Sequence, residues 1–265
     1  MADLSGSAPT RRSRREGAHA RGRRTTSVFG VLGEVLITAG VITLLFVAWQ
    51  LWIGDWIGAA QKNAAGQSIT AQWEDDFVQS RTASPAPAPT DEPAPAAAAK
   101  PVIAPQPKDA QVFGVMRIPR FGADYQVPMA GGVSRARTLD PIGIGHYPGT
   151  PMPGAVGNVA VAAHRTTFGK PFHRIADLQA GDAIVIETKA GWYTYRFRNL
   201  EYVTPHAVDV LQPVPQTSIR ANGKYLTMTS CSPMYFKSER IVAYSVFESF
   251  TPRADGAPAS LAEVS

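Results

Sequence analysis

Hydrophobic and polar positions change rhythm several times along the chain. Residues 28–53 are apolar apart from one charge, Glu34. A helix of about 20 apolar residues crosses the hydrocarbon core of a bilayer, and residues 35–53 satisfy that alone. Trp49, Trp52 and Trp56 gather at the far end, where interfacial anchors sit. A cleaved signal peptide would have a shorter apolar region and a small-residue cleavage site, so a single transmembrane helix is expected over 28–53. Residues 54–80 are polar with scattered apolar positions such as Ile57, Ile69, Trp73 and Phe77, compatible with a short amphipathic helix. A Pro/Ala tract follows over 81–108. It cannot build a core and reads as an extended, semi-rigid spacer.

From about residue 110 the pattern becomes short alternating or apolar runs divided by Gly, Pro and Asp. These predict strands over 112–118, 124–129, 158–163, 182–188, 192–203, 225–231 and 240–247. Helical signal is confined to 134–139 and 172–178. Many short strands with little helix argue for a mainly β domain, either a β-sandwich or a small closed barrel. The expected division is a basic tail over 1–27, the span over 28–53, a spacer over 54–109, a folded domain over 110–252 and a polar tail over 253–265.

Charge orients this arrangement. The net charge of +5 comes largely from Arg11, Arg12, Arg14, Arg15, Arg21, Arg23 and Arg24, with only Asp3 and Glu16 against them in the tail. No aromatic residue is present there to stack on bases, so a nucleic-acid role is not expected. Asp55, Glu74, Asp75 and Asp76 follow the span, and the positive-inside rule then places the amino terminus in the cytoplasm and the rest outside.

That placement bears on Cys231, the only cysteine. Outside the cytoplasm cysteines are usually paired, and a single one has no partner within its own chain. The run Lys224-Tyr225-Leu226-Thr227-Met228-Thr229-Ser230-Cys231 alternates like a strand with two unlike faces, and Pro233 should end its pairing. Cys231 would then stand at a strand-to-loop junction. Arg240 opens the next apolar strand, and His164 follows the strand over 158–163. A thiol beside a basic imidazole becomes a nucleophile, and a guanidinium can stabilise a developing oxyanion. The bland alternative is a core cysteine, a loop histidine and a surface arginine. His146, His173 and His206 read as loop, second-layer or exposed residues.

Thr227-Met228-Thr229-Ser230-Cys231 resembles the TLxTC strand of the sortase family, and Cys231 to Arg240 followed by Ile-Val resembles its cysteine-to-arginine strand pair. The stretches Gly145-His146-Tyr147-Pro148-Gly149-Thr150 and Gly157 to Thr167, ending Ala163-His164-Arg165-Thr166-Thr167, with Pro171-Phe172, are similar to the class E sortases of actinobacteria. Met228, Ser230 and Ala163 depart mildly from the usual Leu, Thr and Gly. The resemblance implies an eight-stranded β-barrel and a membrane-bound cysteine transpeptidase. Such an enzyme cleaves a sorting signal after Thr, holds the acyl group as a thioester, and passes it to an amine of a lipid II-type cell-wall precursor. It implies Cys231 as nucleophile, His164 as general acid and base, and Arg240 as the group polarising the scissile carbonyl. Class E members are associated with an LAXTG signal in secreted proteins rather than LPXTG, and Tyr147 is implicated in reading the alanine. The hydroxyls of Thr227 and Ser230 are expected to shape the substrate groove. No cofactor or metal is expected.

Three rivals remain in view. An L,D-transpeptidase would carry Ser-His-Gly shortly before its cysteine, and this chain does not. A non-catalytic, membrane-tethered β-domain requires Cys231 to be inert. A pilus-polymerising sortase often adds a lid and a second, carboxyl-terminal membrane helix, whereas the tail over 251–265 is short and polar.

Overall fold

Strands that bury one face and share short Gly-rich turns close on themselves when no edge is left uncovered, and that is the outcome here. In a computed structural model of the chain, residues 27–49, 53–83 and 99–263 are described. The basic tail over 1–26, Trp52 and most of the Pro/Ala tract lie outside those residues. The chain divides into two units, 1–46 and 47–265. The first carries helix α1, Val28–Ala48, whose 21 residues are long and apolar enough to cross a membrane.

The second unit contains helix α2, Gly54–Ala83, and eight strands: β1 Val112–Arg117, β2 Val127–Gly131, β3 Ile144–His146, β4 Gly157–Ala163, β5 Ala183–Thr188, β6 Gly191–Val203, β7 Lys224–Ser232 and β8 Glu239–Pro252. They form a closed barrel in the order β1-β2-β3-β4-β7-β8-β6-β5. Most neighbours are antiparallel, but β2 pairs β3 and β4 pairs β7 in parallel. The core inside the barrel is built from Met116, Met129, Ile144, Val161, Ile186, Tyr195, Leu226, Met228 and Ile241 with their neighbours.

Each of the seven expected strands has a counterpart, but the one expected over 124–129 begins only at Val127 and runs to Gly131, and β8 runs further to Pro252. The eighth, β3, lies in a stretch where the sequence pattern predicts no strand. Its three residues, Ile144, Gly145 and His146, are too few to show alternation, yet all three are buried. His146 is therefore a strand residue sealed in the barrel wall. Of the two expected helical segments, one is a single π-type turn, Arg135–Leu139, and the other a 3-10 turn, Ile175–Asp177.

Residues 54–83 form one 30-residue helix packed on the barrel. Its buried positions are Lys62, Gly66 and Trp73. Gly66 lies so close to the chain at Gln126 that a Cβ there would sit 2.1 Å from the Gln126 carbonyl oxygen, and the Gln126 N–H donates to Asn63 Oδ1 at 3.2 Å. The following residues stay on the barrel too: Ala99 packs against the core, Val102 O accepts from Tyr193 Oη, and Gln106 Nε2 donates to Thr150 O at 2.7 Å. The tail is docked through Arg253, which is buried. Its guanidinium meets Glu187 Oε1 at 3.0 Å and Glu74 Oε2 of α2 at 3.0 Å, and lies over the Trp192 ring.

Candidate active site

Alternation along a strand sends successive side chains to opposite faces. On β4, β7 and β8 the residues Val159, Val161, Ala163, Leu226, Met228, Ile241 and Ala243 enter the core. Asn158, Thr227, Thr229, Val242 and Tyr244 therefore occupy the outer face. Cys231 follows Thr229 by two residues and Arg240 precedes Val242 by two, so both continue that outer face. They are also direct partners in the β7–β8 ladder. The parallel ladder of β4 with β7 pairs Ala162 with Thr229, and Ser230 Oγ donates to Ala163 O at 2.7 Å at its end. The same register carried two residues further sets His164 level with Cys231. β7 and β8 thus place a thiol and a guanidinium side by side at one end of the outer face, and β4 ends beside them at the residue before His164.

The rest of that face is covered. The β6–β7 connection packs Val210 and Leu211 on Val242 and Tyr244, and Asn158 Nδ2 donates to Val210 O and Gln212 O at 3.0 and 3.1 Å. Cys231 is half-buried and unpaired, with its carbonyl accepting from Arg165 Nη1 at 3.4 Å. Arg240 uses only Nη1 on the loop before it, toward Lys237 O and Glu239 O at 3.2 and 2.8 Å. Among the described residues no partner holds its Nε or Nη2, and these donors remain available.

His164 is not free. Its Nε2 lies 2.6 Å from Asp140 Oδ1, and its ring tilts against Phe168 with centroids 5.1 Å apart. A carboxylate only accepts, so Nε2 carries the proton. Sequence reasoning missed Asp140: an Asp-Pro pair reads as a turn, and nothing in spacing ties it to a histidine 24 residues on.

Tyr147 stands beside this group. Its hydroxyl is 3.0 Å from Thr229 Oγ1, and Thr229 Oγ1 in turn donates to Val161 O at 3.3 Å. The Thr229 proton being spent, Tyr147 is the donor, and the lone pairs on its oxygen remain as acceptors. Thr227 and Ser230, expected to shape a groove through their hydroxyls, are buried and use them internally, on Asn158 Oδ1 at 2.8 Å and on Ala163 O. They lace β7 to β4. Ser230 moreover points to the core side, away from Cys231. His146 is buried under Phe113, with Nε2 3.0 Å from both Pro151 O and Thr150 Oγ1. Burial pushes its pKa down, and it braces the turn that presents Tyr147.

Comparison with known proteins gives this arrangement relatives. The Sortase domain family model matches residues 116–248. The chain is 33% identical over 237 residues to Sortase SrtE1 of Streptomyces coelicolor, a match spanning 87% of this chain and 60% of that protein. It is 29% identical over 249 residues to Sortase SrtE2 of the same organism, spanning 89% of this chain and 90% of the relative. Among solved structures, the SrtA sortase from Actinomyces oris superposes with a TM-score of 0.58 at 30% identity, covering 61% of this chain and 93% of that one. Sortase E1 from Streptomyces coelicolor, determined with a tripeptide in the active site, gives 0.53 at 34% identity over 57% of this chain and 97% of the other.

Proposed function

Because the chain belongs to the sortase family and groups with its class E members, we propose that it is a membrane-anchored cysteine transpeptidase that cleaves an LAXTG-type sorting signal after Thr and joins the released protein to a cell-wall amine. The observation that carries this is the pairing of Cys231 with Arg240 on the outer face, with His164 alongside at the end of β4.

In the proposed reaction the Cys231 thiolate attacks the Thr carbonyl carbon. Arg240 Nε and Nη2 donate to the oxygen as it gains charge. His164, as imidazolium, gives a proton to the departing Gly amine when the C–N bond breaks, leaving a thioester on Sγ. An incoming amine, supplied by a lipid II-type precursor, loses its proton to His164 and attacks the thioester. The new amide leaves and the thiolate returns. No cofactor enters these steps.

Tyr147 supports the LAXTG preference. Its oxygen is left as an acceptor once its proton is committed to Thr229. An alanine in the second signal position offers a backbone N–H to such an oxygen, and a proline has none. Anchoring through α1, with the amino terminus in the cytoplasm and the barrel outside facing the wall, follows from the arginines before the span and the carboxylates after it.

The test is direct. The full chain in detergent, given a fluorogenic LAXTG peptide and triglycine, should yield the transpeptidation product by mass. Cys231→Ala should abolish it, and Arg240→Lys, which lacks the planar fork, should lower kcat by about 100-fold. Product formation by Cys231→Ala would remove the proposal.

A further inference from the structure

The Asp140 carboxylate lies at the shortest charged contact that His164 makes. Oδ1 stands 2.6 Å from Nε2 with both side chains largely shielded. Asp140 is itself fixed from two directions. Its backbone N–H closes the turn on Arg135 O at 2.8 Å, and the next amides return to Thr138 O. From the other side Lys62, buried on α2, donates from Nζ to Asp140 O at 2.9 Å and Pro141 O at 3.2 Å. Burial lowers the pKa of Lys62 and the Asp140 charge opposes that shift. On the far side of the imidazole, Phe168 closes the slot, with the Arg135 guanidinium 5.9 Å from its ring centre.

From this geometry we propose that Asp140 is a positioning residue for His164, held in place by Lys62 of α2. The proposal rests on His164 being the acid and base of the reaction above. By accepting from Nε2–H, Asp140 fixes one tautomer, so the neutral ring has its lone pair on Nδ1. Among the described residues Nδ1 has no hydrogen-bond partner, and it is the nitrogen left to exchange a proton with the reacting groups. Loss of the carboxylate lets the ring rotate and populate the other tautomer, in which Nδ1 carries the proton and cannot accept one. Lys62 acts one step behind: without its ammonium, two carbonyls lose their donor and the Asp140 segment can slide along α2.

The experiment uses the full chain in detergent, with histidine labelled by 15N and His164 signals identified by their loss in His164→Gln. The unaltered protein should show a single Nε2–H tautomer for His164. Asp140→Ala should convert it to a mixture and lower kcat on the LAXTG peptide by about 100-fold, with KM changed less than about threefold. Asp140→Glu should recover at least tenfold of that loss. Lys62→Met should shift both readouts the same way by a smaller factor. An Asp140→Ala protein with an unchanged His164 pattern and kcat within about threefold would overturn the proposal. So would a loss matched by a fall in melting temperature and not recovered by Glu, which makes Asp140 merely structural. Turnover surviving in His164→Gln instead defeats the reading of His164 itself.

Discussion

Substituting Gly66 by alanine tests whether α2 is a fixed part of the barrel unit. In an isolated helix the change is favourable by about 1 kcal/mol, because glycine is the poorer helix former. In the docked helix the new Cβ would sit 2.1 Å from Gln126 O and 2.7 Å from its carbonyl carbon, whereas real Cβ atoms keep at least 3.0 Å. Something must move by roughly 0.9 Å, and the obstacle is backbone in a close-packed wall rather than a flexible side chain. Overpacking of this kind costs about 1–3 kcal/mol, and a backbone obstacle belongs at the upper end. The shift also disturbs the Asn63 and Lys62 hydrogen bonds one turn earlier on the helix. The net expectation is a loss of about 2 kcal/mol, or about 4–8 °C for a domain of this size. Thermal unfolding of the full chain in detergent, followed by tryptophan fluorescence, reads the shift. The exposed neighbour Gln67→Ala should stay within about 0.5 kcal/mol. A melting temperature raised by Gly66→Ala would mean that the helix is undocked in solution, and the packing argument for α2 would fail.

Three further outcomes follow from the same structure. Arg253→Leu strips buried Glu187 of its 3.0 Å partner and leaves it Arg117 at 3.3 Å; removing one member of a buried ion pair costs about 3–5 kcal/mol, measurable by urea unfolding, and a change below about 1 kcal/mol would contradict the network. His146 is held neutral by burial, its pKa below the ordinary 6.5. The unfolded chain then binds the proton more readily, so this contribution to stability is complete above about pH 6.5 and declines as pH falls through and below it. His146→Gln, which retains a donor for Pro151 O, should flatten that part of a stability-versus-pH curve, and an unaltered slope would assign it elsewhere. Tyr147→Phe should reduce the LAXTG to LPXTG ratio of kcat/KM by about tenfold, the worth of one hydrogen bond; an unchanged ratio rules out the acceptor role.

The strand pattern of the barrel was legible because most strands bury one face and expose or cover the other, the contrast that alternation records. β3 escaped because three residues carry no period. The course of residues 54–83 escaped for a different reason. The face that α2 buries is made of Gly66, Lys62 and Trp73, a small residue, a charged one and one aromatic, and such a face has no apolar stripe to detect. At the site, Cys231, Arg240 and His164 announced themselves by standing where strands end; the β7–β8 ladder pairs the first two, and His164 follows the last residue of β4. Asp140 and Lys62 did not, since one lies in an unremarkable turn and the other on the unpatterned helix. Thr227 and Ser230 were assigned to the groove from hydroxyl chemistry alone, but alternation turns Ser230 to the core side, and hydrogen-bond demand commits both hydroxyls to β4, Thr227 on Asn158 Oδ1 and Ser230 on Ala163 O.

The parallel ladder between β4 and β7 has a temporal meaning. Its two strands are 67 residues apart in the chain at Ala163 and Ser230, and β5 and β6 must be laid down before the second can reach the first. Contacts of such long sequence separation form late and slowly. A growing polypeptide would therefore carry Cys231 and His164 as strangers until nearly the whole barrel had been made. On the proposed mechanism, reactivity would arrive together with the finished fold.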